Sequence, residues 1–478
     1  MIQHHITLIE GDGVAPEVTK AACQVIAATP VKIKWDKQLA GKKIFEQGIS
    51  SGVTPETVAS ILKNGIVLKG PLETPIGHGG KSANVTLRKL FEIYGNIRPA
   101  HSLPGVITPF SDEKIDLVII RENVEDLYTG IEHMQTPSVA QCLKIITRKG
   151  CEKIVRLAFE FARSQGHKTV HCATKANIMK LSEGMLKRVF EAIAPEYPEI
   201  KAEHIIIDNC AHQLVIKPSQ FDVIVTTNLN GDILSDLCAG LVGGLGFAPS
   251  ANIGNSAAIF EAVHGSAPTI AGQNIVNPTS MILSSVLMLR YLGEFEAADL
   301  IEKGIYATLA DQCFTADVPG AHKKLSTIQF TQKVIDNLGK DTPYWTKRHY
   351  HPMNLHKELQ SEVHKEELAD KGVDIFIRGT HDAKVLGADL EKLVASSPLL
   401  LHGISNRGMQ VYPPQVTTPD LVDSWQCRFK LHDSKDILTP KMVHDLVAKI
   451  DEYYTWSHIE KLPHIGTNIA YTQSAGED

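Results

Sequence analysis

Several charged residues in this chain sit where an apolar run ends, a placement that aims a side chain instead of leaving it to solvent. The stretch Asp116-Leu-Val-Ile-Ile closes on Arg121, and Tyr128 follows in the polar loop behind it. A Gly/Pro loop starting at Gly70 leads into Ser82, Asn84 and Arg88, and the last two share one helix face. Ser82 falls near the helix N-terminus, where backbone N–H groups attract anions. Arg98 follows that helix. Three guanidinium forks suit a ligand with several carboxylates, because each fork can grip one bidentately. Taken singly, each arginine would pass for a surface ion pair. Asp232 and Asp236 lie one helical turn apart near a helix start, with Asp208 upstream. Two carboxylates on one face repel unless a cation joins them, and without Cys or His beside them a hard ion, Mg²⁺ or Mn²⁺, fits better than Zn²⁺. The plainer alternative is that both acids complement the positive helix end. Lys175 directly follows a strand. In solvent it is an ordinary charge, whereas desolvated among cations its amine becomes a usable base.

These groups need a scaffold that brings strand ends together. Strand-like and helix-like segments alternate from Ile6–Ile9 onward, through Asn64–Leu68, Leu87–Tyr94, Asp116–Ile120, Cys151–Ser164, Thr169–Ala173, Met179–Ala194, Ile205–Ile207, Asp222–Thr226 and Ile233–Val242. That alternation argues for α/β layers. Composition changes near Lys340, where prolines and a dense Lys/Glu/His run suggest a connector that is partly helical at Leu355–Ala369. Beyond it a compact βαββαβ pattern resembles a ferredoxin-like module. The chain has 478 residues, room for two or three domains. A hydrophobic share of 43% supports packed cores and excludes a mainly disordered chain. The formal net charge of −6 gives no sign of a nucleic-acid or membrane partner. No apolar run reaches the ~20 residues of a membrane span. The eight cysteines form no C-x-x-C pair, so reduced thiols in a cytoplasmic setting are expected.

Two phosphate-binding signatures fail. Gly80-Lys81-Ser82 resembles the end of a P-loop, but Pro75 stands where that loop needs its first Gly. Glycines cluster at Gly240, Gly243, Gly244 and Gly246 without opening a helix after a strand, so no Rossmann fingerprint is present.

The pattern Ser82-x-Asn84-x-x-x-Arg88, with Arg121-Glu-Asn-Val-Glu-Asp-Leu-Tyr128, Asn228-Leu-Asn-Gly-Asp232 and Glu261-Ala-Val-His264-Gly-Ser-Ala-Pro268, resembles the β-decarboxylating dehydrogenases, and isocitrate dehydrogenase among them. The likeness spans about residues 2–335, and the tail is similar to the extra C-terminal domain of a longer bacterial type. It implies a two-domain α/β fold without a Rossmann fingerprint, plus a small α+β domain. Expected boundaries are 1–94 with 243–340 for a cofactor domain, 95–242 for a substrate, metal and dimerisation domain, 341–372 for the linker and 373–478 for the C-terminal domain.

The resemblance also implies roles. Ser82 and Asn84 would hold the carboxylate that marks isocitrate, and Arg88, Arg98 and Arg121 would clamp the others. Asp232 and Asp236, with Asp208 of a second subunit, would bind Mg²⁺ or Mn²⁺. Lys175, also from that subunit, would take the 2-hydroxyl proton, and Tyr128 would protonate the enolate after CO₂ leaves. The dinucleotide would lie against Leu72, Glu73, Thr74, Asn177, His264, Gly265, Thr269, Ile270 and Asn277, with Glu73 favouring the cationic oxidised ring. Such sharing requires a homodimer or higher homo-oligomer. NADP forms carry a Lys-Tyr pair where this chain has Thr269-Ile270, and the later segment Thr315–Gly320 lacks their Tyr and Arg. Without evident partners for a 2′-phosphate, save Lys217 from a partner, the expectation is NAD preferred over NADP. Homoisocitrate or 3-isopropylmalate dehydrogenase, or a non-catalytic regulatory subunit, are the competing readings. Ser82 with Asn84 argues against 3-isopropylmalate dehydrogenase, and the retention of Lys175 and Tyr128 argues against a regulatory subunit. The C-terminal module carries no polar constellation, so it reads as an oligomer contact.

Overall fold

A computed structural model describes residues 3–73, 82–318, 323–348, 350–353, 355, 367–414, 417, 419–433 and 436–473. It divides into two compact units, residues 1–129 with 144–359, and residues 130–143 with 360–478. The hairpin Glu132–Thr136/Val139–Cys142 therefore groups with the C-terminal part of the chain.

The first unit is organised by one ten-stranded sheet. Its strands run in the order Lys32–Gln38, Gln3–Ile9, Ile66–Lys69, Ala258–Ala262, Pro249–Ile253, Gly95–His101, Asp116–Glu122, Val223–Thr226, Thr169–Thr174 and Lys201–Ile206. The outer strands on each side pair in parallel, and the Val/Ile/Leu runs of Ile66–Lys69, Asp116–Glu122 and Val223–Thr226 suit burial on both faces, while the edge strands Lys32–Gln38 and Lys201–Ile206 are polar and partly exposed. The centre is antiparallel: Pro249–Ile253 runs against both neighbours, and Gly95–His101 runs against Asp116–Glu122. Helices Ala15–Ala27, Thr279–Tyr291 and Phe295–Ala310 pack around one arm, and Arg148–Gln165, Ser182–Ile193 and Asn228–Leu241 around the other.

The expected connector begins as a strap on this unit. Trp345 donates its indole N–H to Glu302 at 2.8 Å, Arg348 pairs with Asp116, and Tyr350 lies 4.0 Å from the Arg290 guanidinium. The helix expected over 355–369 falls largely outside the described residues, and its end, Leu368 and Ala369, is strand instead.

The second unit carries strands Leu368–Arg378, Leu399–Asn406, Met409–Tyr412, Ser424–Leu431 and Trp456–Ile465 with helices Ala383–Val394 and Pro440–Asp451. All its main pairings are antiparallel, and Leu368–Arg378 lies between Ser424–Leu431 and Trp456–Ile465. That is the ferredoxin-like βαββαβ arrangement, with Met409–Tyr412 added at the edge.

Candidate active site

Arg98, Arg121, Tyr128, Asp232 and Asp236 gather where the strands Asp116–Glu122 and Val223–Thr226 end. The helix Asn228–Leu241 starts immediately afterwards, and Gly231 brings it close: a Cβ there would sit 2.6 Å from Arg121 Cγ. Arg121, 1% exposed, donates from Nε to the Asn228 carbonyl at 3.0 Å and from Nη2 to Asn228 Oδ1 at 2.7 Å. Its Nη1 pairs with Asp232. Arg98 Nη1 lies 3.3 Å from Asp232 Oδ1, 3.6 Å from Asp236 Oδ1 and 2.5 Å from Ser235 Oγ. Tyr128 donates to Asp232 Oδ2 at 2.5 Å and lies under the Arg121 guanidinium, 5.0 Å from its ring centroid. Arg88 reaches Glu261 Oε1 at 3.6 Å.

Burial and mutual repulsion shape the electrostatics. Burial, then the neighbouring Arg98 and Arg88, push the Arg121 guanidinium down to about 10. Arg98 is lowered in the same way, by burial and then Arg88. Such guanidinium groups are poised for anions. Burial alone would raise Asp232, but Arg121, the Tyr128 hydroxyl and Arg98 outweigh it and hold the carboxylate below its ordinary range. Burial and the hydrogen bond to Asp232 raise Tyr128, which keeps its proton.

Sequence reasoning missed the framework behind these groups. Lys69, almost wholly buried at the end of its strand, pairs with Glu261. Glu261 accepts from Asn252 at 2.9 Å, Asn252 accepts from Asn96 at 2.6 Å, and Asn96 accepts from Arg98 Nε at 3.0 Å. A chain of buried bonds thus orients both Arg88 and Arg98. The available signal was Lys69, which follows the apolar run Asn64–Leu68 just before Gly70-Pro71.

The remaining residues fall into two groups. Lys175 Nζ lies 2.7 Å from Asp208 Oδ1, and both side chains are substantially exposed. Lys175 lowers the Asp208 carboxyl. Asn177 is exposed on the same loop as Lys175. The structure does not bring Asp208 to Asp232 and Asp236 in one chain: among the described residues no three metal-type side chains cluster. The donors still fit a hard ion, since Asp232 and Asp236 are oxygen ligands converging on one Arg98 nitrogen.

On the cofactor side, Leu72 is buried and the Glu73 N–H donates to Asp12 Oδ2 at 2.9 Å. Thr74 lies outside the described residues. Asn277 donates to Asp317 Oδ2 at 3.1 Å, and His264 Nδ1 lies 3.0 Å from the Gly265 carbonyl. Gly265 and Thr269 are exposed, and Ile270 packs on the core. His264 Nε2 and Asn84 Oδ1 are buried without a hydrogen-bond partner among the described residues, as a polar ligand edge would require. Ser82 stands at the N-cap of the helix Ala83–Leu90, with Arg88 in its last turn.

An α/β scaffold with guanidinium groups, paired carboxylates and a phenol at strand ends suits an acidic ligand. The isocitrate/isopropylmalate dehydrogenase family model matches residues 5–334, and the model for the C-terminal domain of bacterial isocitrate dehydrogenase matches residues 368–477. A Thermus thermophilus protein named isocitrate dehydrogenase [NADP] is 54% identical over 477 residues, covering 99% of this chain and 96% of that one. One of the same name from Rickettsia bellii is 39% identical over 90% of each chain. The solved TT0538 protein from Thermus thermophilus superposes with a TM-score of 0.93 at 53% identity, covering 99% of this chain and 96% of that one. The chain belongs to the isocitrate/isopropylmalate dehydrogenase family.

These relatives overturn the expected NAD preference, because relatives alike along the whole chain are named for NADP. That expectation weighs the segments at Thr269-Ile270 and Thr315–Gly320 and, beyond them, only Lys217 of a partner. Cations follow directly: His322, Lys323 and Lys324 come just after Gly320, and Lys323–Lys324 is a short strand paired with Cys313–Phe314, next to Thr315. Among the described residues no helix is long and apolar enough to cross a membrane.

Proposed function

We propose that the chain oxidises and decarboxylates isocitrate to 2-oxoglutarate and CO₂, reducing NADP with the help of Mg²⁺ or Mn²⁺. The observation that carries this reading is the convergence of Arg98, Arg121 and Tyr128 on the Asp232 carboxylate, with Asp236 one turn away. Arg88, Arg98 and Arg121 bind the substrate carboxylates, which compete with Asp232 for the guanidinium groups. Ser82 and Asn84 hold the carboxylate that marks isocitrate. Asp232 and Asp236, with Asp208 of a second copy, hold the divalent ion. When bound, the nicotinamide accepts hydride from C2 and the ion stabilises negative charge as CO₂ departs. Lys175 of the second copy takes the hydroxyl proton, and Tyr128 returns one to C3.

Support for sharing lies in Asp208 pairing with Lys175, while among the described residues it forms no metal-type cluster with Asp232 and Asp236. Exposed Ile178, Ile216 and Ile233, at 69%, 65% and 60%, add apolar surface on the elements that carry Lys175, Asp208 and Asp232. Leu72, Glu73, His264 and Asn277 would receive the nicotinamide end, and exposed Lys324 offers a cation for the 2′-phosphate. The deciding experiment is turnover of isocitrate with Mg²⁺ and each cofactor, with 2-oxoglutarate and CO₂ assayed directly. Reduction of neither cofactor would refute the reading.

A further inference from the structure

We propose that Lys144 is a positioning residue, whose ion pairs with the buried carboxylates of Asp126 and Glu183 lock together the backbone segments that carry Tyr128, Lys175 and Asp232. This deepens the reaction proposed above and rests on it. Lys144 Nζ pairs with Asp126 and lies 2.9 Å from Glu183 Oε1. Both carboxylates are fully buried.

Each acid is spent on backbone and side-chain donors of the site. Asp126 stands two residues before Tyr128, with a left-handed φ of 67°, and its N–H donates to the Ile145 carbonyl at 2.8 Å. Its Oδ2 accepts from the Leu229 N–H at 2.9 Å, inside the first turn of the helix that carries Asp232. A carboxylate there satisfies an otherwise unpaired helix donor and suits the positive end. Glu183 Oε2 accepts from the Lys175 N–H at 3.0 Å, and Oε1 accepts from the hydroxyl of Thr227, the N-cap of the same helix, at 3.1 Å. One cation therefore neutralises two acids that hold three separate segments. Lys144 touches neither Tyr128 nor Lys175, so its effect passes through geometry.

The test uses full-length Lys144→Met and Lys144→Arg proteins. Misplacing catalytic groups by about 1 Å costs about 100-fold. Lys144→Met should therefore lower kcat about 30- to 100-fold while KM for isocitrate stays within about threefold, and Lys144→Arg should recover most of the loss. Amide hydrogen exchange should quicken together in residues 126–130, 174–178 and 227–232. If Lys144→Met does not fold, Glu183→Gln should quicken 174–178 and 227–230 and lower kcat in the same way. An unchanged kcat, or faster exchange confined to residues 126–130, would overturn the proposal. A wild-type protein inert toward isocitrate would sink the functional reading alone, and the exchange pattern would still decide the lock.

Discussion

Tyr128 Oη lies 2.5 Å from Asp232 Oδ2, so one of the carboxylates assigned to the metal also accepts the bond of the assigned proton donor. The phenol is raised above its ordinary value by burial and then by this bond. The phenol therefore holds through neutral pH the proton that it is assigned to give. Tyr128→Phe should cut kcat by about 100-fold and leave KM for isocitrate nearly unchanged, because proton transfer contributes about 10²–10⁴-fold. Steady-state kinetics checks this, and an unchanged kcat would remove Tyr128 from the chemistry.

Asp232→Asn keeps the shape but removes the charge that Arg121 and Arg98 now face. The Mg²⁺ concentration for half-maximal activity should rise at least about tenfold, and calorimetric Mn²⁺ affinity should fall in step. Asp236→Asn should act in the same direction.

Complementation tests the shared site. Lys175→Met and Tyr128→Phe subunits should each be nearly inactive alone. Mixed by co-expression, they should recover about a quarter of wild-type activity, since half of a random two-fold mixture is mixed and each mixed dimer holds one intact site. No recovery would place Lys175 and Tyr128 in the same site of one chain.

Glu122 predicts a pH dependence of stability. Burial raises its carboxyl to about 7, against the bonds it accepts from the Val124 and Glu125 N–H groups. The folded state therefore binds a proton that the unfolded state releases near the ordinary value of 4.5. Stability should fall as pH rises from about 4.5 to about 7, by up to about 3 kcal/mol, and level off above. Thermal melting of Glu122→Gln against wild type across pH 5–8 checks the sign: the variant should lose most of this decline.

The parallel arms were legible because buried Val/Ile runs alternate with amphipathic helices, and the ferredoxin-like module because its turns are well marked. The antiparallel centre was not, since Pro249–Ile253 and Ala258–Ala262 are short and buried throughout, leaving no period for a pattern to show. Among site residues, Arg121 and Asp232 announced themselves by strand-end and helix-start placement. Lys69, Glu183 and Asp126 did not, because a charge that is buried only through distant partners looks in sequence like one in solvent. The cofactor expectation rested on cations missing from short segments, whereas relatives alike along the whole chain are named for NADP.

The sheet crosses the middle of the first unit without a break, and the buried amides of Asn96, Asn252 and Asn123 cross-link three neighbouring segments at that seam. The two halves are thus joined through paired strands, and any relative movement of them would bend or twist those strands. A change at one of those asparagines would be felt on both sides of the seam, since Asn252 accepts from Asn96 and from Asn123.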